Sequence, residues 1–305
     1  MRDTFVATLI EVAKKDKNIE LITGDLGFGV LKPFWEQLPD RFTNAGIAEQ
    51  NMTGIAAGMA MEGKTVFTYS IGNFPTLRCL EQIRNDCAYH DANVKIVCVG
   101  GGFVYGSLGM SHHATEDIAA LRALPNVTVL CPGDLVEAAE ATKAIAKHQG
   151  TCYLRLGRGG EKRIHDKIDD FQIGKAIRIK DGSRAAIFST GGMLDNATEA
   201  VNILNESGIS TAQLSFPTVK PIDKDAILEY SKKCDIIVTC EEHNIVGGFG
   251  SAVAEVMAEN PSKARLLRIG LNDIYSSIVG TQKYLREKYG MGVESIVNTV
   301  KENLS

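Results

Sequence analysis

A lone glutamate, Glu49, heads the run from Gln50 to Met61, which is built largely from alanine, glycine, methionine and other small or apolar residues. In the first turn of a helix a carboxylate complements the helix dipole, an effect of about 0.3–1 kcal/mol. A helix this small and apolar on nearly all sides predicts deeper burial than that role needs. A buried carboxylate without a partner is costly, so it is held protonated or shares a proton with a neighbour. A carboxyl tuned in that way does acid chemistry at neutral pH. A second candidate pair, His112-His113, lies in a Gly/Ser loop after an expected strand. Neutral imidazoles there can donate to, or accept from, a hydroxyl-bearing substrate.

Other chemistries lack their residues. Gly100-Gly101-Gly102 continues to Gly106 with one residue too many for a dinucleotide fingerprint. No His/Cys/carboxylate cluster has zinc spacing, and no nucleophile elbow occurs. Gly247-Gly248-Phe249-Gly250 precedes a helix and fits either an anion on free N–H groups or a tight turn. A net charge of -4 argues against nucleic acid and anionic membranes as partners. No apolar run approaches the roughly 20 residues a membrane helix needs. The amino terminus reads as an amphipathic helix and not as a signal peptide. Seven scattered cysteines without a Cys-x-x-Cys pair read as reduced, buried thiols, which points to the cytoplasm.

The elements that must position these residues alternate. Strands are expected at 19–23, 65–69, 94–99, 127–130 and 152–156, with helices at 4–15, 48–62, 76–90, 116–124 and 135–147. Strands without polar alternation, spaced by helices, predict a parallel sheet covered on both faces. Gly24, Gly100 and Gly133 follow strands at the edge where such a sheet builds its ligand crevice. A charged, Gly-rich stretch then reads as a connection, and the alternation restarts at Ala185. The fold class is therefore α/β with two domains, each a mostly parallel sheet flanked by helices. The expected boundaries are 1–160, a linker at 161–182, and 183–305.

Asn44-Ala45-Gly46-Ile47-Ala48-Glu49-Gln50 resembles the N-x-G-I-[AS]-E-x motif of the pyrimidine-binding domain in transketolases and deoxyxylulose-phosphate synthases. The similarity takes in Gly24-Asp25-Leu26, the segment from Tyr69 to Phe74, Ser111-His112-His113, Arg122 to Asn126, and Glu241-Glu242-His243-Asn244. The resemblance implies thiamine diphosphate as cofactor and ketol transfer from a ketose to an aldehyde as reaction. Glu49 matches the glutamate that hydrogen-bonds the aminopyrimidine nitrogen and so activates the cofactor. Ile71 and Phe74 fall where the family stacks rings on the pyrimidine, and Asp25 and Ile47 belong to the same cofactor-facing motifs. His112 matches a substrate-facing histidine, with His113 beside it. Arg158 matches the arginine that clamps the substrate's anionic end, and Arg155 is its rival.

Three departures qualify the resemblance. Leu108 stands where the family carries an aspartate that reads a sugar hydroxyl, and Gly100–Gly102 stand where transketolases place a further histidine. A deoxygenated or otherwise modified ketose is the expected donor. The Mg²⁺- and diphosphate-binding G-D-G motif is also missing, so no metal ligand is expected on this chain. The expected partner is an N-terminal transketolase subunit carrying the diphosphate-binding domain, in a two-plus-two heterotetramer. The alternatives are the β subunit of a 2-oxo-acid dehydrogenase, a deoxyxylulose-phosphate-synthase-like enzyme, and a non-catalytic scaffold. Glu241-Glu242-His243 is expected to serve packing and assembly.

Overall fold

Runs of branched and aromatic residues with every side chain buried set the architecture. In the computed structural model, which describes residues 1–304, the first half alternates in the expected way. It comprises α1 (Arg2–Lys15), β1 (Ile19–Thr23), α2 (Phe28–Gln37), β2 (Phe42–Asn44), α3 (Glu49–Met61) and β3 (Thr65–Ile71). There follow α4 (Leu80–Gln82), which runs into a π-helical segment (Ile83–Ala88), then β4 (Val94–Val99), α5 (Asp117–Arg122), β5 (Val127–Leu130), α6 (Leu135–Lys147) and β6 (Thr151–Leu156). The second half holds β7 (Ile177–Lys180), β8 (Ala185–Ser189), α7 (Leu194–Glu206), β9 (Thr211–Ser215), β10 (Thr218–Lys220), α8 (Lys224–Lys233), β11 (Ile236–Asn244), α9 (Phe249–Ala258), β12 (Arg265–Leu271), α10 (Gln282–Lys288) and α11 (Val293–Asn303).

Among the described residues these strands form two sheets, in the orders β10-β5-β6-β4-β3-β1-β2 and β12-β11-β8-β9-β7. All pairings are parallel except the edge pairs β10–β5 and β7–β9. In the first sheet, β1, β4 and β6 are buried along their whole length. Such strands must be covered on both faces, and α1 supplies one cover through Phe5, Leu9 and Ala13. Asp134 caps α6 by accepting from the Glu137 N–H at 2.8 Å, which satisfies one of the free donors of that helix start.

Four expectations change. The connection expected at 161–182 already contains β7, which pairs with β9, so the second sheet begins before residue 183. The strand β10 crosses back to pair with β5, so the two halves share a sheet. The helix expected at 76–90 is a 3₁₀ turn, a short α-helix and a π-helical segment in sequence. Helix α3 buries only one face, through Glu49, Met52, Thr53, Ala56 and Ala57, while Met61 is exposed. Gly58 and Gly63-Lys64-Thr65 have phosphate-loop spacing, yet they run from the end of α3 into β3. A phosphate loop needs the opposite order, strand then helix.

The halves are joined by buried charge. Arg155 in β6 donates through Nε to Asp117 at 2.7 Å and through Nη2 to the carbonyls of Ala114 and Glu242. Tyr153 donates to the same carboxylate. Glu242 accepts from Arg286, Gln282 and the Phe103 N–H. His243 accepts from the Ala119 N–H at 3.3 Å through Nε2, so Nδ1 donates to the Asn244 carbonyl at 2.6 Å. Burial holds this neutral imidazole down at about 4. Glu242 and His243 thus pack the two halves of the chain together.

Candidate active site

Strands β1 and β2 end side by side, and their loops are tied into one support for Glu49. The Ala45 N–H donates to the Thr23 carbonyl at 2.9 Å. Asn44 accepts through Oδ1 from the N–H groups of Asp25 and Gly46, and donates through Nδ2 to the Asp25 carboxylate at 2.9 Å. Asp25 adopts the left-handed conformation, φ 56°, which an aspartate tolerates better than most residues. One of its carboxylate oxygens is held by Asn44. Glu49 opens α3 with 4% of its surface exposed. A Cβ on Gly24 would stand 3.2 Å from the Glu49 Cγ, so one wall around the carboxylate is bare backbone.

Glu49 is not unpaired. Arg78 donates through Nη1 to Glu49 Oε2 at 2.8 Å, and its guanidinium lies 4.4 Å from the centre of the Phe74 ring. The sequence reading missed Arg78. Its only local signal is the four-residue spacing from Phe74.

Phe74 follows β3 through a tight corner. Gly72 is left-handed, φ 52°, and a Cβ there would meet the His112 carbonyl oxygen at 3.3 Å. Asn73 donates to the His113 carbonyl at 2.7 Å. The corner and the histidine loop are therefore fixed back to back, and the Phe74 and His112 rings meet edge to face with centroids 5.4 Å apart. His112 is half-buried, with Nδ1 3.0 Å from Ser111 Oγ. Among the described residues Nε2 has no hydrogen-bond partner. Ile71 is partly buried at the end of β3.

The remaining candidates separate. His113 turns inward: it is buried, its Nε2 lies 3.1 Å from the Gly106 carbonyl, and it packs edge-on against Phe103. It packs as a strut between Gly106 and Phe103, with Nδ1 buried and without a hydrogen-bond partner among the described residues. Arg155 is consumed by Asp117, which leaves Arg158 as the available guanidinium. Arg158 is exposed and stands 5.6 Å from the Tyr105 ring centre. Tyr105, also missed from sequence, lies 6.5 Å from the His112 ring. It fills the space over Gly100, where a Cβ would come within 2.4 Å of the tyrosine ring. Leu108 is exposed beside this loop, and Ile47 stands 80% exposed next to Glu49.

These residues fit the aminopyrimidine end of thiamine diphosphate. A buried carboxylate can bond a ring nitrogen, a half-buried phenyl ring can stack on the pyrimidine, and an imidazole with a free nitrogen stands beside them. Among the described residues no group of three or more His, Cys, Asp or Glu side chains is placed to hold a metal ion.

Residues 1–160 match the transketolase pyrimidine-binding domain and residues 174–296 the transketolase C-terminal domain. A transketolase C-terminal section of Methanocaldococcus jannaschii is 41% identical over 100% of this chain and 96% of its own length. One of the subunits of an apulose-4-phosphate transketolase of Phocaeicola vulgatus is 36% identical, over 99% and 96%. A solved split-gene transketolase, described as an inactive β4 tetramer, superposes with a TM-score of 0.88 at 34% identity and covers 99% and 96% of the two chains.

Proposed function

Because this chain belongs to the transketolase family, carrying its pyrimidine-binding and C-terminal domains, we propose that it is the C-terminal subunit of a split transketolase. Together with an N-terminal subunit it moves a two-carbon ketol unit from a ketose donor to an aldehyde acceptor. The observation that carries this reading is the joint presentation of Glu49 and Phe74, bridged by Arg78, with His112 5.4 Å from Phe74.

Thiamine diphosphate, when bound, supplies the electron sink for breaking the bond beside a ketose carbonyl. The chain's own residues do the rest. Glu49 holds a proton at the pyrimidine nitrogen. Phe74 sets the plane of that ring, with Ile71 and Ile47 as apolar contacts at its margin. His112 offers Nε2 to a hydroxyl of the sugar, and Arg158 reaches the donor's anionic end. The diphosphate and Mg²⁺ are held by the N-terminal partner, in a two-plus-two heterotetramer. The seven free, buried cysteines suit a reducing cytoplasm.

Leu108 gives the substrate wall an apolar side chain where the family places a hydroxyl-reading aspartate, and Gly100–Gly102 supply no histidine there. A modified or deoxygenated ketose phosphate fits that wall better than an ordinary pentose phosphate, and the relative from Phocaeicola vulgatus is itself named for apulose 4-phosphate. The test is turnover by the mixed subunits over a panel of ketose phosphates, with pyruvate as counter-substrate. Ketol transfer that is lost with Glu49→Gln supports the reading. Xylulose 5-phosphate as the best donor removes the modified ketose, and decarboxylation of pyruvate alone replaces transketolase with an oxo-acid dehydrogenase.

A further inference from the structure

Arg78 touches both residues assigned to the pyrimidine. Its guanidinium lies 4.4 Å from the Phe74 ring centre and donates to Glu49 at 2.8 Å. A guanidinium is planar, stacks on aromatic faces and presents N–H groups from an amidine-like carbon. An aminopyrimidine has the same planar, stacking, amidine-containing character. Arg78 therefore makes the two contacts that define the pyrimidine's place, using a side chain of this same chain.

With Arg78 in position the Glu49 carboxylate is closed off, its side chain being 4% exposed. A ring nitrogen can reach it only if a covering group moves. Near Glu49 are Gly24, which is bare backbone, the buried Cys79, and Thr53, whose hydroxyl bonds the Glu49 carbonyl at 3.0 Å. Arg78 is different, because 46% of its side chain is exposed and it rises from a short 3₁₀ turn. Leaving Glu49 buried without a partner is costly, so Arg78 stays until another planar donor or acceptor replaces it.

We propose that Arg78 is an internal stand-in for the aminopyrimidine, holding Glu49 and Phe74 in binding geometry in the isolated chain and swinging outward when the cofactor enters. This deepens the transketolase reading and rests on it. The stand-in preserves the subsite while the chain is alone, at the cost of competing with the ligand. Phe74 and Glu49 are then already aligned when the N-terminal subunit brings the diphosphate site.

The test is calorimetric titration of thiamine, which carries the pyrimidine without the diphosphate, into the full-length chain and its Arg78→Ala and Arg78→Lys variants. Arg78→Ala is expected to bind about two- to fivefold more tightly than the unaltered chain, as removal of a competing, partly exposed ion pair predicts. Arg78→Lys, which keeps the charge and loses the planar fork, falls between them and covers the case of an alanine variant that does not fold. Raising the salt screens the pair and strengthens thiamine binding to the unaltered chain but not to Arg78→Ala. Equal responses of all three chains, including no response, overturn the proposal, and so does weaker binding to Arg78→Ala. A parallel titration of thiamine diphosphate with Mg²⁺ into the mixed subunits separates the two readings. Binding there, with equal responses in the isolated chains, removes the stand-in alone. No binding there removes the cofactor reading and the stand-in with it.

Discussion

The Phe74 and His112 rings meet edge to face, centroids 5.4 Å apart, although they lie on different loops. The contact joins the expected cofactor side of the site to the expected substrate side. Their substitutions should therefore separate cleanly. Phe74→Ala is expected to weaken cofactor binding by the assembled enzyme about tenfold, the scale of a lost aromatic stack. His112→Ala should leave that affinity within about threefold and lower kcat/KM by roughly 10²–10⁴. Cofactor titration followed by initial rates checks both, and equal losses of affinity in the two variants would contradict the division.

Gly72 holds these two loops together. Its φ of 52° is strained for any side chain, and a Cβ would stand 3.3 Å from the His112 carbonyl oxygen. Gly72→Ala should cost about 1–3 kcal/mol in urea unfolding and loosen cofactor binding, while the corresponding change at Gly58, where a Cβ meets nothing within 4 Å, should not destabilise.

A buried pair inside the first half, Arg155 and Asp117, also reaches the second half through the Glu242 carbonyl. Burial opposes the charge on Asp117, but the Arg155 guanidinium and the hydrogen bonds from Arg155 and Tyr153 hold its carboxyl below the usual range. Arg155→Met strands that carboxylate and should cost about 3–5 kcal/mol. Adding Asp117→Asn should recover part of the loss. Urea unfolding of the single and double variants measures the coupling, and additive losses would show that the two side chains act separately.

A second cluster makes stability depend on pH. Asp134 accepts from the N–H groups of Ile164 and His165, and its Oδ2 lies 3.2 Å from the His165 ring nitrogen. Burial pushes Glu137 up to about 7. Burial opposes the charge on His165, but its bond to Asp134 and the charges of Glu137 and Asp134 raise it above 6.5. Both groups hold protons more tightly in the folded chain. Their contribution is complete below the unfolded values and is lost as pH rises through the folded ones. The urea midpoint should fall as pH rises from about 4.5 to about 7 through Glu137 and further above 6.5 through His165, and His165→Gln should flatten the part of the slope above 6.5. An unchanged slope in the variant would exclude His165 as its source.

Much of this was legible in the sequence, for identifiable reasons. Fully apolar strands and small-residue helices carry their own period, so the sheets and the loop edge that holds Glu49 followed from pattern. Glu49 and His112 stood out because each breaks its surroundings. Arg78 did not, since its pairing with Glu49 spans 29 residues and forms only once α3 and the turn after β3 are packed together. His113 turns inward because adjacent residues in a turn face opposite ways, and composition gives no sign of which is inside. The crossing of β10 into the first sheet was equally invisible, as three residues carry no usable period. Tyr105 is legible only backwards, from the space that Gly100 leaves.

As the C-terminal subunit of a split transketolase, this chain would hold half of a shared cofactor site. Calorimetric titration of thiamine diphosphate with Mg²⁺, into this chain alone and into its mixture with the N-terminal subunit, tests it most directly. Tight binding is expected in the mixture only, abolished or greatly weakened by Glu49→Ala. Tight binding to the chain alone, or binding in the mixture that Glu49→Ala leaves untouched, would contradict it.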